Sequence, residues 1–370
     1  MSGYVQPLPA NGGCETDLII MTEALFLCTT AALFAVAITL GWRYLPSDRF
    51  QVLAAVPVRR GEGSLWQGIN FTWYGLILAS AAIVGLVFVL VLGQAAHMAM
   101  VPLLALLTLI VGLCVPASRR IARLVEKKGY TFTIGGAFFC GLVSAPVLIL
   151  AINLGCWLTA TPRLSGQIVL AALAIGYIIG EGLGRLACLS FGCCYGKPLD
   201  QCGPLARRLL DRMAVVFTAP TKKAVYEGGL AGVKLVPVQG LTCLLYTVTG
   251  LVACHWFLQG RYRSAFLLSL MVSQIWRVLS EMLRADFRGF SAITAYQKMG
   301  VAAMVFGALL CVLLPQPSLP RPDIATGLLV LIDPLLILGL KAIWFILFLH
   351  FGRSMVTGAI LSFQVHQHRI

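Results

Sequence analysis

The sequence predicts an all-α polytopic bundle of about eight or nine transmembrane helices. Hydrophobic residues make up 59% of its 370 residues and charged residues only 11%, and the mean hydropathy is +0.89. These values are typical of integral membrane proteins and not of soluble domains. The apolar runs are about 20 residues long, the length that a helix needs to cross a bilayer. They lack the period-two alternation of membrane strands, so we expect helices and not a β-barrel.

Eight uncharged or nearly uncharged runs are predicted to span the membrane. They cover about 18–42, 72–93, 97–116, 131–156, 166–189, 237–258, 264–283 and 299–315. The first contains Glu23 and is longer than the core of a signal peptide, so we interpret it as a retained helix. A ninth run lies near 324–350, where Asp333, Pro334 and Lys341 interrupt it. Because proline disrupts a helix interior, we expect this helix to start only after Pro334.

The chain divides into three predicted parts. Residues 1–56 form an additional N-terminal helix and loop, residues 57–316 a seven-helix membrane core, and residues 317–370 an additional C-terminal helix and tail. Within the core, residues 191–236 are the longest polar segment, with several prolines and the amphipathic-looking stretch LARRLLDRMAVVF. We interpret this insertion as a small head over one end of the bundle.

The net charge of +14 is distributed unevenly across the predicted topology. One side of the bundle carries Arg43, Arg49, Arg59, Arg60, Arg119, Arg120, Arg123, Lys127, Lys128, Lys197, Arg207, Arg208, Arg212, Lys222, Lys223, Lys234, Arg284, Arg288 and Lys298. The positive-inside rule would make this side cytoplasmic. The same residues can instead form a surface that attracts anionic phospholipid headgroups. Because they lie in short loops without a recognition module, we expect no nucleic-acid partner.

Most cysteines are scattered through apolar runs, where they behave as small hydrophobic residues. Only Cys188, Cys193, Cys194 and Cys202 cluster, and their C-x4-C-C-x7-C spacing is not a standard zinc pattern. Metal binding and disulfide formation are the alternatives to simple packing of small side chains at a glycine-rich turn. We favour packing and therefore expect no metal ion and no cofactor.

Two predicted helices carry arginines next to carboxylates. Glu181 and Arg185 are four residues apart and can pair on one helix face. In the second helix, Arg277, Glu281 and Arg284 follow one helical stripe. Buried pairs can simply neutralise each other, but burying them is costly. Since a guanidinium can grip a phosphate with two hydrogen bonds, these arginines point to a phospholipid headgroup as the ligand.

Five motifs resemble, in order, those of the prolipoprotein diacylglyceryl transferase family, over about 57–312. The motifs are FTWYGLILA at 71–79, IGGAFFCG at 134–141, GRLACLSFGCCYG at 184–196, VPVQ at 236–239 and RVLSEMLRADFRG at 277–289. The family transfers a diacylglyceryl group from phosphatidylglycerol to the cysteine thiol of a prolipoprotein and releases glycerol phosphate. The resemblance implies a bacterial plasma-membrane enzyme with a phospholipid donor.

The resemblance also implies roles for individual residues. Catalytic roles fall to Arg185 and Arg277 on the phosphate, with Glu281 and Tyr74 beside them. The candidate substrate-binding residues in these motifs are Gly135, Gly136, Cys188, Gly192, Cys193, Tyr195, Gly196, Gln239 and Arg284. For the tyrosines, the alternative is a position at the membrane interface.

The chain departs from the family at several motif positions. Ile134 stands where well-known members have histidine, and Cys188 and Cys193 replace an asparagine and a glutamate. Gln239 lacks the histidine and glutamate expected beside it. None of the five histidines suits the role of base by position, which leaves Tyr74, Tyr195, Glu281 and Cys193 as candidates.

Three functional hypotheses remain open from the sequence. The first is a transferase that uses phosphatidylglycerol or a similar phospholipid and a prolipoprotein cysteine. The second is a lipid-binding or lipid-moving protein that kept the arginines and lost the chemistry. The third is a transferase with the same donor and a different acceptor, which the altered cysteine loop supports. The family places its site on the exported side, and we favour that orientation over the one that loop charge indicates.

Overall fold

The computed structural model describes residues 12–126, 134–286, 294–317 and 320–370. Within these ranges, nine helices are long and apolar enough to cross a membrane. The helices in chain order are α1 (Gly12–Tyr44), α2 (Trp73–Ala95), α3 (Met100–Glu126), α4 (Ile134–Leu158), α5 (Gly166–Phe191), α6 (Pro204–Leu210), α7 (Lys223–Tyr226), α8 (Val238–Leu258), α9 (Tyr262–Leu283), α10 (Ala295–Leu313), α11 (Ile324–Leu328) and α12 (Pro334–Gly352). The polytopic all-α prediction is confirmed, and α6, α7 and α11 are the short helices.

Proline occurs both at the start and in the interior of membrane helices of this protein. The last of them, α12, starts at Pro334, and the Asp333 carboxylate accepts a hydrogen bond from the Leu336 N–H at 2.9 Å. Proline fits this first position because it has no N–H to leave unsatisfied. In α3, by contrast, Pro116 lies inside the helix, which continues to Glu126. The helix therefore continues ten residues beyond the apolar run at 97–116 that was predicted to span the membrane.

The core of the bundle is built around α5, the most thoroughly buried membrane helix described. It packs against α2, α8 and α9. A methyl group on Gly176 would lie 2.5 Å from the Gly85 carbonyl oxygen of α2. Two backbones can approach this closely only where neither residue has a side chain, which is a common way for membrane helices to associate. This contact fixes α5, and with it the residues of its last two turns.

A three-stranded antiparallel sheet, which the sequence analysis did not anticipate, lies at one end of the bundle. Its strands are β1 (Val52–Arg60), β2 (Leu65–Thr72) and β3 (Arg353–Ser362), in the order β1-β2-β3. Cα partners include Val56 with Ile69 and Gln67 with Ile360. The sheet connects the segment after α1 to the segment after α12.

The two additional helices lie at the periphery, since only 6% of the best membrane window of α1 and of α12 is buried. The first packs mainly on α8 and the last mainly on α2. The α1 contact is close, because a methyl group on Gly240 would lie 2.3 Å from the Trp42 ring. The three-part division of the chain stays a prediction, and its first boundary, at 56/57, falls inside β1.

The head formed by residues 192–236 is attached to the bundle through a buried lysine. Lys222 is fully buried, and its ammonium donates to the backbone carbonyls of Ser190 at 2.7 Å, Ser47 at 2.9 Å and Leu45 at 3.4 Å. Burial lowers the pKa of Lys222 to about 8. This side chain therefore joins the head to the ends of α1 and α5. Of the stretch LARRLLDRMAVVF, only the first part is an α-helix.

Candidate active site

The five sequence motifs converge at the end of the bundle that carries the sheet and the head. The last turns of α5 and α9 meet the first turns of α2, α4 and α8 there, because alternate membrane helices run in opposite directions. The loop that follows α5, residues 192–196, lies between them. The part of the RVLSEMLRADFRG motif beyond Asp286 lies outside the described residues.

A buried carboxylate brings the two principal arginines together. Glu181 accepts hydrogen bonds from Arg185 and Tyr177 on its own helix, and its side chain is only 1% exposed. Arg277 Nη2, from α9, lies 2.8 Å and 3.0 Å from the two Glu181 carboxylate oxygens and 2.9 Å from the Tyr177 hydroxyl oxygen. The Glu181–Arg185 pair was predicted from its spacing. That Arg277 contacts the same carboxylate was not.

This cluster, Glu181 with Arg185 and Arg277, has more positive than negative charge. Two guanidinium groups surround one carboxylate, so the three side chains carry a net charge of about +1 at neutral pH. The Nε atoms of both arginines are buried and have no hydrogen-bond partner among the described residues. A buried donor without a hydrogen-bond partner lowers the stability of the protein, and both of these donors belong to charged guanidinium groups. The arrangement therefore suits an anionic ligand.

The glycine pair of the IGG motif lies against the Arg277 guanidinium. A methyl group on Gly135 would lie only 2.4 Å from Arg277 Nη1 and 3.3 Å from the Tyr296 ring. Gly136 is buried beside it. About one turn further along α4, the Phe138 ring lies 4.3 Å from the Tyr177 ring, centroid to centroid. The absent side chain at Gly135 leaves room for the arginine to reach Glu181.

Three thiols converge where α5 ends. The Sγ atoms of Cys188, Cys193 and Cys194 all lie within 4.8 Å of one another. Cys188 Sγ and Cys194 Sγ are 3.9 Å apart, and Arg185 Nη1 lies 3.8 Å from Cys194 Sγ. The donating thiols of Cys188 and Cys193, followed by the Arg284 and Arg185 guanidiniums, lower the pKa of Cys194 against the opposing effect of burial. Cys202, the fourth clustered cysteine, instead donates to the Pro198 carbonyl.

The turn that positions these thiols has an unusual backbone. Gly192 closes α5 in the left-handed conformation with φ of +72°, as C-terminal glycines commonly do. Cys194 is also left-handed, with φ of +55°. This conformation is uncommon for a residue with a side chain and is maintained only where its surroundings hold it in place.

Backbone contacts on both sides hold the turn. The Gln239 side-chain amide donates to the Cys193 carbonyl at 2.8 Å, so the VPVQ motif supports the loop from α8. Gly196 pairs with Arg284 in an antiparallel bridge, and the Ala285 N–H donates to the Tyr195 carbonyl at 3.1 Å. A methyl group on Gly196 would lie 2.3 Å from the Val236 carbonyl oxygen.

The remaining sequence-predicted residues surround this centre at different distances. Tyr74 lies beside the Phe191 ring at 5.6 Å and is an electrostatic neighbour of Cys193 and Arg185. Tyr195, in contrast, packs into the hydrophobic cluster below the head, and burial raises its pKa. Its ring therefore points into this hydrophobic cluster.

At the end of α9, the two arginines of the predicted stripe have different carboxylate partners. Arg284 Nε and Nη2 each lie 2.7 Å from a carboxylate oxygen of Asp286, while Arg277 reaches across to Glu181. Glu281 is partly buried, and its backbone carbonyl accepts from the Arg284 N–H at 3.4 Å. The stripe thus supplies one arginine to the carboxylate cluster and one to the neighbouring loop.

Three contacts of this site were missed by the sequence analysis. Tyr177 lies four residues before Glu181, so helical spacing alone would have identified it as a neighbour. Cys194 was grouped with the clustered cysteines but not selected as a site residue. No sequence signal connects Glu181 with Arg277, because their meeting depends on how α5 and α9 pack.

One protein-family model matches the part of the chain that carries this site. A sequence model described as prolipoprotein diacylglyceryl transferase matches residues 64–313, more than half of the chain. A comparison with curated proteins finds no match. The matched range contains both arginine helices, the cysteine loop and the glycine pair of α4. It excludes α1 and α12, the two peripheral helices. The chain belongs to the prolipoprotein diacylglyceryl transferase family.

Proposed function

We propose that the protein transfers the diacylglyceryl group of phosphatidylglycerol to a cysteine thiol of a prolipoprotein, at the exported face of the bacterial plasma membrane. Its family membership supports diacylglyceryl transfer in general. The observation that carries the specific proposal is the meeting of Arg185 and Arg277 on Glu181, which leaves a buried net positive charge at one membrane end. A phosphodiester headgroup is the anion that a membrane presents at this depth.

The arginines would act on the leaving group. In the proposed reaction the acceptor sulfur forms a bond to the glycerol carbon of the diacylglyceryl group, and the bond from that carbon to the phosphate oxygen breaks. The electron pair goes to the phosphate, and the thiol proton goes to solvent. Fixed cations that face the developing charge lower this barrier because they need no reorganisation. Arg185 and Arg277 are held in place by Glu181 and Tyr177 and so meet that requirement.

An apolar groove near the arginine cluster would accommodate the lipid part of the donor. A groove of about 410 Å³ between α3 and α4 is lined by Leu113, Ala117, Phe139, Cys140, Val143, Ser144, Val147 and Leu148. It begins one helical turn beyond Gly135, which touches the Arg277 guanidinium. An acyl chain in this groove would therefore place its headgroup near the arginines.

The other predicted residues have supporting places in this proposal. Arg284 and Gln239 hold the cysteine loop against the ends of α9 and α8. Tyr74 and Glu281 are proposed to contact substrates at the edge of the cluster. Gly135 and Gly136 make room for the guanidinium, and Gly192 and Gly196 shape the loop.

The test is a transfer assay with purified full-length protein in phosphatidylglycerol vesicles. Labelled donor and a lipobox peptide are supplied, and lipidated peptide and released glycerol phosphate are both measured. Arg185→Lys is expected to lose at least about tenfold in rate, since lysine cannot reproduce the two-hydrogen-bond geometry. The matched control is Arg321→Lys, because Arg321 pairs with Glu23 at the opposite membrane end, at 2.8 Å.

The two products separate the candidate functions. Both products, dependent on Arg185, support the proposal. Glycerol phosphate without lipidated peptide would favour a transferase with the same donor and a different acceptor, which the cysteine-containing loop supports. Neither product, with phospholipid still bound, would mean that the chain binds or moves lipid and performs no transfer.

A further inference from the structure

The three thiols of the loop after α5 have the separations of metal ligands. In a zinc site each sulfur lies about 2.3 Å from the metal, so sulfurs sharing one ion are about 3.8 Å apart. Cys188 Sγ and Cys194 Sγ are 3.9 Å apart, and Cys193 Sγ lies within 4.8 Å of both. Sequence spacing did not indicate a zinc site. The left-handed turn produces this convergence from an unfamiliar pattern.

The loop keeps the thiols together at a conformational cost. A left-handed cysteine costs about 1 kcal/mol or more, and such strain is found mainly at functional sites. Cys194 has this conformation, with φ of +55°. Simple packing of small side chains would not need it. The hydrogen bond from Gln239 to the Cys193 carbonyl, at 2.8 Å, secures the turn in the arrangement that gathers the sulfurs.

The charge around the cluster also fits a bound metal. Three thiolates and one divalent cation together carry a net charge of about −1. Arg185 Nη1 lies 3.8 Å from Cys194 Sγ, and Arg284 is an electrostatic neighbour of the same sulfur. These cations offset the remaining negative charge. Thiolate ligands select soft or borderline ions such as Zn²⁺ over Mg²⁺ and Ca²⁺.

We propose that Cys188, Cys193 and Cys194 bind a zinc ion whose fourth coordination position receives the acceptor thiol. Zinc sites with three protein ligands and one open position are typical of catalysis, whereas structural sites are closed by four. This inference rests on the proposed function and supplies its missing step. The chain has Ile134 where the sequence analysis looked for a histidine base.

The chemistry balances without any further reactant. The acceptor thiol binds the zinc ion and releases its proton to water, because a thiol that coordinates zinc is deprotonated. The bound thiolate then attacks the glycerol carbon of the donor. The carbon–sulfur bond forms as the carbon–oxygen bond to phosphate breaks, and glycerol phosphate leaves beside Arg185 and Arg277. The zinc ion keeps its oxidation state throughout.

The first measurement is the metal content of the full-length protein, purified in detergent without chelators from zinc-supplemented cells. We expect about one zinc ion per chain by elemental analysis. Cys188→Ser, Cys193→Ser and Cys194→Ser should each lower the zinc content at least about fivefold. Cys202→Ser is the matched control, because the Cys202 thiol donates a hydrogen bond to the Pro198 carbonyl and lies outside the cluster. It should keep the wild-type zinc content.

A second measurement addresses variants that fail to fold. Wild-type protein is stripped of metal and titrated with Co²⁺, and the thiolate-to-cobalt charge-transfer absorption should appear and then disappear when Zn²⁺ is added. Absence of zinc together with absence of this absorption would overturn the proposal. Copper or iron in place of zinc, or equal zinc loss in Cys202→Ser, would also overturn it.

The zinc proposal and the proposed function fail separately. Zinc bound through the three cysteines, with no lipid transfer to any thiol, would retain the metal site and remove the transfer function. Full transfer by metal-free protein in the presence of a chelator would remove the zinc site and retain the function.

Discussion

Replacing Gly135 by alanine tests whether the Arg277 guanidinium needs its present position. The added methyl group would lie 2.4 Å from Arg277 Nη1, whereas non-bonded atoms prefer about 3.5 Å or more. The guanidinium must therefore retreat by about 1 Å. If it moves away from Glu181, its Nη2 hydrogen bonds, now 2.8 Å and 3.0 Å long, would lengthen to about 3.8–4.0 Å, beyond the geometric limit of about 3.5 Å.

The loss of one such charged hydrogen bond corresponds to about 1.5–3 kcal/mol. If this guanidinium stabilises the leaving phosphate, the rate of glycerol phosphate release should fall about 10-fold to 100-fold. Gly155→Ala is the matched control, since it lies on the same helix and a methyl group there meets nothing within 4 Å. Melting temperatures of both variants in detergent show whether the fold is intact. A folded Gly135→Ala protein with a rate within twofold of Gly155→Ala would refute the reasoning.

Three further predictions concern the stability of the site and the head. Glu181→Gln leaves two buried guanidiniums without their counter-charge, so it should destabilise the protein by about 3–5 kcal/mol and lower its melting temperature. Glu23→Gln removes the partner of the half-exposed Arg321 at the opposite end and should cost less stability. Equal losses of stability in the two variants would contradict this prediction. Gly196→Ala places a methyl group 2.3 Å from the Val236 carbonyl oxygen, whereas a methyl group at Gly203 meets nothing within 4 Å. Gly196→Ala should therefore lower the melting temperature and expose the loop thiols to alkylating reagents, and Gly203→Ala should do neither. Lys222 has a pKa of about 8 in the folded protein and of about 10.4 in the unfolded chain. Because the folded protein binds fewer protons between these two values, its stability should rise with pH through this window, by up to about 3 kcal/mol. The melting temperature of Lys222→Met should depend less on pH in the same window.

The sequence predicted the membrane helices well because each is a long apolar run that its composition alone identifies. It also located the arginine helices, and it identified the Glu181–Arg185 pair because both residues lie on one helix. Contacts between different helices could not be predicted from the sequence alone. The contact of Arg277 with Glu181 depends on the packing of α9 on α5 and was not predicted.

The sheet escaped the sequence analysis for a different reason. Its strands lie in segments with basic and polar residues that were interpreted as a loop and a tail. In addition, β3 pairs with β2, which lies almost 300 residues earlier in the sequence. The three thiols illustrate a related limit. Their spacing matches no standard zinc pattern, and only the left-handed turn at Gly192 and Cys194 brings the sulfurs together.

The order of the strands has a consequence for biosynthesis. The hairpin of β1 and β2 can form as soon as the first helices are made, but the other edge of β2 pairs with β3, which follows the last membrane helix. Until β3 has been translated, that edge is an open template for pairing with another chain. Non-local pairing of this kind is also slow. Closure of the sheet therefore has to wait for β3, and a chain truncated before this strand should need protection by chaperones at this end of the bundle.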